Sequence, residues 1–272
     1  MTLRHIFPAV FAIALSGCSG NGSGLSQRDS AEALNAEIET AMTQGNYSKA
    51  ITDIDSFSRT FPLQTDIRRK LLNTRAKAAE GLAIQSIPRL DAGIAVLQAG
   101  MDSMQNDFVS VQPATSLPPY LVHKGCKGTV DSSPRIQARV NTGTDATDTP
   151  WVLAVGTGRD IGLNRLVINT AQGATYTIPV NECVGGMLAS LRPEQIDGLG
   201  RQLAANNDKI AQVTASGSKG SVKIPVSDAE SRGIAAAWQL STQRDSLRKM
   251  LIEREKTERI LQMSRDKAAN SL

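Results

Sequence analysis

The stretch IPRLDAGIAVLQAGMDSMQNDF, residues 87–108, has the clearest periodicity in the chain, with Ile87, Leu90, Ile94, Leu97, Met101, Met104 and Phe108 spaced alternately three and four. That spacing is a coiled-coil seam on a long helix, and an apolar seam needs a partner face. Pro88 is expected to start a new helical segment or kink the old one, because it lacks the amide hydrogen and crowds the preceding turn. Gly93 and Gly100 each cost roughly 1 kcal/mol relative to alanine in a helix but permit close backbone approach. The partner is expected at the far end of the chain. Residues 228–270 read as one long helix with Ile234, Ala237, Leu240, Leu247, Leu251 and Leu261 on a broken apolar stripe. Packed antiparallel as an internal stalk, the two helices would bring Phe108 near Ile234 and Ile87 near Leu251. Arg244 and Arg254 interrupt the second stripe and argue against a tight homodimeric zipper. The spacing of Asp245 with Lys249 and of Glu255 with Arg259 adds helix-supporting charge pairs.

Upstream, residues 29–110 form a helical region. Ala33, Leu34, Ile38, Ala41 and Met42 recur at helical spacing, Gly45-Asn46 offers a turn, and a second helix carries Ala50, Ile51, Ile54 and Phe57 before Phe61-Pro62 interrupts it. Gln64 or Thr65 is a plausible cap for the long helix that follows. Gly45-Asn46-Tyr47-Ser48-Lys49-Ala50 resembles the turn and second-helix start of a tetratricopeptide unit, in which the aromatic packs between helices and the alanine permits close approach. One unit alone cannot build a solenoid, which needs about three repeats to bury its faces. A plain helical hairpin and a peptide-binding groove therefore both remain open for residues 29–62.

Between the long helices, residues 118–226 shift toward Gly, Thr, Val and Pro. Residues 120–123, 135–140, 151–155, 165–168, 175–178, 209–214 and 221–224 read as short strands, with Gln172-Gly173 and Lys219-Gly220 as hairpin turns. Pro193 to Asn206, with Ile196, Leu199 and Leu203 on one face, reads as a single helix. Short strands without repeated helical crossovers predict a mostly antiparallel β module. The fold class expected for the whole chain is α+β.

Residues 1–17 predict a lipoprotein signal peptide. Arg4 and His5 give a basic start, residues 6–15 are an apolar run shorter than the ~20 residues of a spanning helix, and Leu15-Ser16-Gly17-Cys18 closes the segment. That closing tetrapeptide resembles the lipobox of bacterial lipoproteins. The resemblance implies cleavage between Gly17 and Cys18, diacylglyceryl thioether modification of Cys18 and acylation of the new amino terminus. Two or more acyl chains suffice for stable anchoring where one does not. Residues 18–28, rich in Gly and Ser, read as a flexible tether. Ser19 stands where an inner-membrane retention signal resembling that of enterobacteria would have aspartate, so the expected address is the outer membrane, facing the periplasm.

Composition is that of a folded domain, 40% hydrophobic and 21% charged, and no apolar run after Leu15 is long enough to span a bilayer. Arg68-Arg69-Lys70 and Arg248-Lys249 lie in helical stretches beside acids, giving nucleic-acid or anionic-lipid binding no support. With aromatics at only 4% of residues, Trp151 and Trp238 read as core rather than as a carbohydrate platform. Once Cys18 carries lipid, Cys126 and Cys183 are an even pair in an oxidising compartment. They form either one disulfide, stabilising by about 4 kcal/mol, or two buried thiols.

Motifs of catalysis are sparse. Residues 156–162, Gly-Thr-Gly-Arg-Asp-Ile-Gly, invite a phosphate-loop reading, but they match neither the dinucleotide fingerprint nor a P-loop, and a strand rather than a helix follows. A hairpin loop is the expectation. His123 is the only histidine after residue 17, which leaves no histidine metal cluster and no triad drawing on a second histidine. Asp145 with Asp148 lacks the spacing of a calcium loop, and Ser216-Gly217-Ser218-Lys219-Gly220 reads as a turn. No cofactor, metal or small-molecule ligand is expected.

The order of lipobox, Gly-Asn-Tyr hairpin, long helix, residues 120–124 (Tyr-Leu-Val-His-Lys), β module, residues 210–220 and a closing helix with Gln239-Leu240-Ser241 resembles uncharacterised envelope lipoproteins of Bacteroidetes. The resemblance covers most of the chain after residue 17 and implies no activity. The expectation is a non-enzymatic binding or structural module with a protein partner in the envelope. The alternative is an envelope enzyme with a site near His123 or the 156–162 loop.

Overall fold

A computed structural model describes residues 26–113, 118–126, 128, 130, 133–142 and 150–269. The expected signal peptide, Cys18 and most of the expected tether lie outside these residues, as do Asp145 and Asp148. Among the described residues, five helices and two antiparallel sheets make an α+β fold. The chain divides into two compact units, Met1–Leu82 with Ser264–Leu272, and Ala83–Met263, so the divisions fall inside the two long helices rather than at the ends of the β module.

In the first unit, α1 (Gln27–Thr43) and α2 (Tyr47–Thr60) form the expected hairpin. Ser26 caps α1 in a reciprocal capping box with Asp29, and the Asn46 side chain caps α2 by accepting from the Lys49 amide. Gly45 takes φ +68°, which the tight turn requires. The α3 helix (Thr65–Gln105) begins in this unit, burying Leu71 with Ile38, Ile54 and Phe57, and Ala78 with Ala41 and Ala50. Tyr47 packs so closely on Gly81 of α3 that a Cβ there would stand 2.4 Å from the ring. The hairpin's inner face is therefore occupied by α3, where a peptide groove would need it open.

The second unit holds both sheets. Strands β1 (Phe108–Val111), β2 (Tyr120–His123), β3 (Pro134–Asn141), β4 (Trp151–Thr157) and β7 (Leu188–Leu191) form one sheet in the order β1-β2-β3-β4-β7. Strands β5 (Leu163–Thr170), β6 (Thr175–Pro179), β8 (Ile210–Gly217) and β9 (Gly220–Ile224) form the other, ordered β6-β5-β8-β9. The two sheets share one core, filled by Trp151, Leu153, Leu166, Ile168 and Val213 together with Ile196, Leu199 and Leu203 of α4 (Pro193–Asn206) and Ile234, Ala237 and Leu240 of α5 (Asp228–Ala269). Both hairpin turns form as expected, β5 with β6 and β8 with β9. The expectation for residues 156–162 is corrected: β4 and β5 belong to different sheets, so the loop is a crossover between sheets and not a hairpin.

Within this unit α3 and α5 run antiparallel, because Gly93 lies against Met250, Gly100 against Gln243, and Asp91 pairs with Arg254. Pro88 sits inside the uninterrupted span of α3 and starts no new segment. Phe108 and Ile234 share the core, but Phe108 opens β1 instead of ending the helix. The Gly93–Met250 and Asp91–Arg254 contacts set the register so that α3 residues beyond Ile87, and not Ile87 itself, come level with Leu251. Leu251 is 44% exposed, and the α5 seam runs through Leu247, Met250, Arg254, Thr257 and Leu261, all less exposed than Leu251. An arginine stem and a threonine methyl can cover apolar surface as leucine does, so the stripe follows geometry and not leucine content. Arg244, the other interruption, donates from Nη1 to the Asn141 carbonyl at 2.7 Å. The charge pairs Asp245–Lys249 and Glu255–Arg259 both form.

Candidate functional site

Of the two alternatives for Cys126 and Cys183, a disulfide or two thiols, the structure has the second, with both cysteines free. Cys126 is 5% exposed beneath the first turns of α5, where its thiol donates to the Ala229 carbonyl at 3.8 Å and only a glycine fits at position 233. Cys183 is half-buried, between β6 and β7, beside the bridge of Val184 with Leu188. The two thiols have different partners, the Ala229 carbonyl for Cys126 and the Val184 carbonyl for Cys183.

Nor do His123 and Cys126 assemble as a base and a nucleophile. His123 Nδ1 accepts from the Gly125 amide at 3.1 Å, and its ring stands edge-on to Phe108, with centroids 5.6 Å apart. Burial lowers its pKa below the ordinary value, with Asp107 partly opposing the shift and Arg232 adding to it. Burial also pushes the Cys126 thiol up to about 11, with Glu230 adding to the shift, so the sulfur is protonated at neutral pH. Among the described residues no three His, Cys, Asp or Glu side chains cluster as metal ligands.

The 156–162 loop is different. Its backbone is pinned from both sides: the Thr157, Ile161 and Leu163 amides donate to the Met187 and Gly186 carbonyls, and the Ser218 and Lys219 amides donate to the Gly162 and Ile161 carbonyls. Ile161, 1% exposed, plugs the core, and Gly158 takes φ +70° against the Pro134 ring. The Thr157 hydroxyl donates to the Arg159 carbonyl at 2.6 Å. This bracing holds an exposed Arg159 at the mouth of an open groove of about 450 Å³. The start of β3 (Ser133, Pro134), residues 157–159 and residues 221–223 of edge strand β9 line it.

Strand alternation explains the groove's chemistry. Ile224 of β9 turns into the core with Val222 packed against it, which sends Ser221 and Lys223 outward. Among the described residues the lining offers two cations and three hydroxyl side chains, and no acid. Asp160, next to Arg159, is already engaged: Oδ1 accepts from the Gly162 amide at 2.8 Å and Oδ2 accepts from Lys219. The Lys219 hydrogen bond, then that of the Gly162 amide, holds its carboxyl below the ordinary range. Arg159 and Lys223 make no ion pair among the described residues.

No protein-family model, curated protein or solved structure matches the chain. Sequence reasoning had singled out the loop but not β9, because only the sheet packing brings residues 221–223, some 60 positions downstream, alongside it. A second cavity, of about 300 Å³, is lined by Glu182, Arg192, Glu194 and Gln195, and there the Gln195 amide is consumed by the Pro179 carbonyl at 2.8 Å. Among the described residues no helix is long and apolar enough to cross a membrane.

Proposed function

We propose that this chain is a lipid-anchored lipoprotein of the bacterial envelope, held at the periplasmic face of the outer membrane through Cys18, whose β-rich part is a non-enzymatic binding module. Support for the anchor is the tetrapeptide Leu15-Ser16-Gly17-Cys18 after a ten-residue apolar run. The observation that carries the binding reading is the groove at Arg159, a rigid polar recess built from both sheets, in contrast to the packed imidazole of His123 and the protonated thiol of Cys126. A recess of convergent polar groups on a braced scaffold is suited to holding a partner.

Photo-crosslinking tests the module. A photoreactive side chain at Ser221 in native envelopes should capture a discrete partner, whereas the same group at exposed Lys256 should not. Equal capture from both positions, or none, would sink the binding reading. Membrane fractionation tests the anchor separately.

A further inference from the structure

We propose that the groove between the 156–162 loop and β9 binds a phosphate monoester, which rests on the binding-module reading and names the chemistry of what the module holds. Arg159 lines the groove from the crossover loop that follows β4, and Lys223 from edge strand β9 of the other sheet. The guanidinium supplies a planar fork and the ammonium a compact point charge, a combination suited to several oxygens of one phosphoryl group. Ser133 and Ser221 add hydroxyl donors. A single carboxylate would leave one of the two cations unused.

Two neighbouring acids among the described residues are already engaged. Asp160 is neutralised by Lys219 and the Gly162 amide, and Glu230 is turned to Arg135 at 3.6 Å. The loop's glycines play no P-loop role here. The Gly162 amide and carbonyl are spent on bracing, on Asp160 and on the Ser218 amide, and the recognition proposed here is by side chains. At about 450 Å³ the groove has room for more than a phosphate, enough for an attached ring such as a sugar. That organic part comes either from a soluble phosphorylated saccharide or from a lipid headgroup.

Chemical footprinting of the full chain in nonionic detergent micelles separates the outcomes. Amine acetylation at Lys223, read by mass spectrometry, should slow at least about threefold with saturating glucose 1-phosphate, while Lys249 and Lys256 serve as unaffected controls. Protection only when phosphatidic acid is mixed into the micelles would assign the phosphate to a lipid headgroup and still support the proposal. Arg159→Ala, an exposed substitution, should weaken protection about tenfold in ligand concentration, near 1.4 kcal/mol. Equal protection by glucuronate, absence of protection by either phosphate, or undiminished protection in Arg159→Ala would overturn it. Partner capture at Ser221 without phosphate protection would leave the binding module standing and remove only this inference.

Discussion

Asp91 and Arg254, 163 positions apart, meet as an ion pair with Arg254 Nε 2.5 Å from Asp91 Oδ1, and Arg254 also reaches Glu258 at 2.9 Å. This pair marks the register of α3 against α5 where the leucine stripe alone would set the helices out of step. Both partners are substantially exposed, so the pair specifies alignment more than it stabilises. Arg254→Ala should therefore lower stability only slightly, and less still in high salt, in urea unfolding followed by circular dichroism.

Two glycines in the second unit should respond to alanine in opposite ways. A Cβ at Gly200 of α4 would stand 2.5 to 2.7 Å from the rigid indole of Trp238, which is itself tied to Asp197 through Nε1 at 2.7 Å. Gly200→Ala should destabilise by about 1 to 3 kcal/mol despite its better helix propensity. A Cβ at Gly93 meets only the mobile end of Met250, so Gly93→Ala should be neutral or stabilising by up to about 1 kcal/mol. Similar losses at the two sites in thermal unfolding would contradict this packing.

The thiols should differ in reactivity and not in redox state. Cys183, half-buried, should react with a disulfide reagent in the native protein, while Cys126, 5% exposed and with its pKa raised to about 11, should react only on unfolding. Pretreatment with a reductant should leave the count of reactive thiols at these two positions unchanged. A gain of two on reduction would restore the disulfide.

Stability should depend on His123 in mildly acidic solution. Its folded pKa lies below the unfolded value near 6.5, because burial disfavours the imidazolium and Nδ1 is already an acceptor. The unfolded state therefore binds the proton first. Stability contributed by the neutral ring is complete above about pH 6.5 and falls as pH drops through the folded pKa. His123→Gln should flatten the urea midpoint between pH 8 and pH 5; an unchanged slope would mean that another group sets it.

Release from membranes tests the anchor. Cys18→Ala should move the protein from the sedimenting membrane fraction to the soluble fraction, since lipidation supplies the proposed attachment. Continued tight sedimentation would refute it.

Groove occupancy should rise with pH. A phosphate monoester gains its second charge near pH 6, and a dianion is held more strongly by a cationic groove than a monoanion. Protection of Lys223 by glucose 1-phosphate should be several-fold stronger at pH 7.5 than at pH 5, and a pH-independent effect would argue against dianion binding.

Local pattern alone was enough to locate most elements. The α1–α2 hairpin, the α4 span and seven of the strands follow from residue periodicity, turn glycines and proline, because those features act on neighbours a few positions apart. Two strands escaped. Phe108 of β1 continues the helical 3–4 spacing, and Leu-Ala-Ser-Leu of β7 is short and lacks β-branched residues, so their pairing with β2 and β4 is what makes them strands. The tertiary structure also decided that β4 and β5 part into different sheets, that Arg254 and Thr257 join the α5 seam, and that Lys223 lines the same groove as Arg159. A periodic pattern states which face of an element is apolar. It does not state which distant face will cover it, and that choice falls to the packing of the whole core.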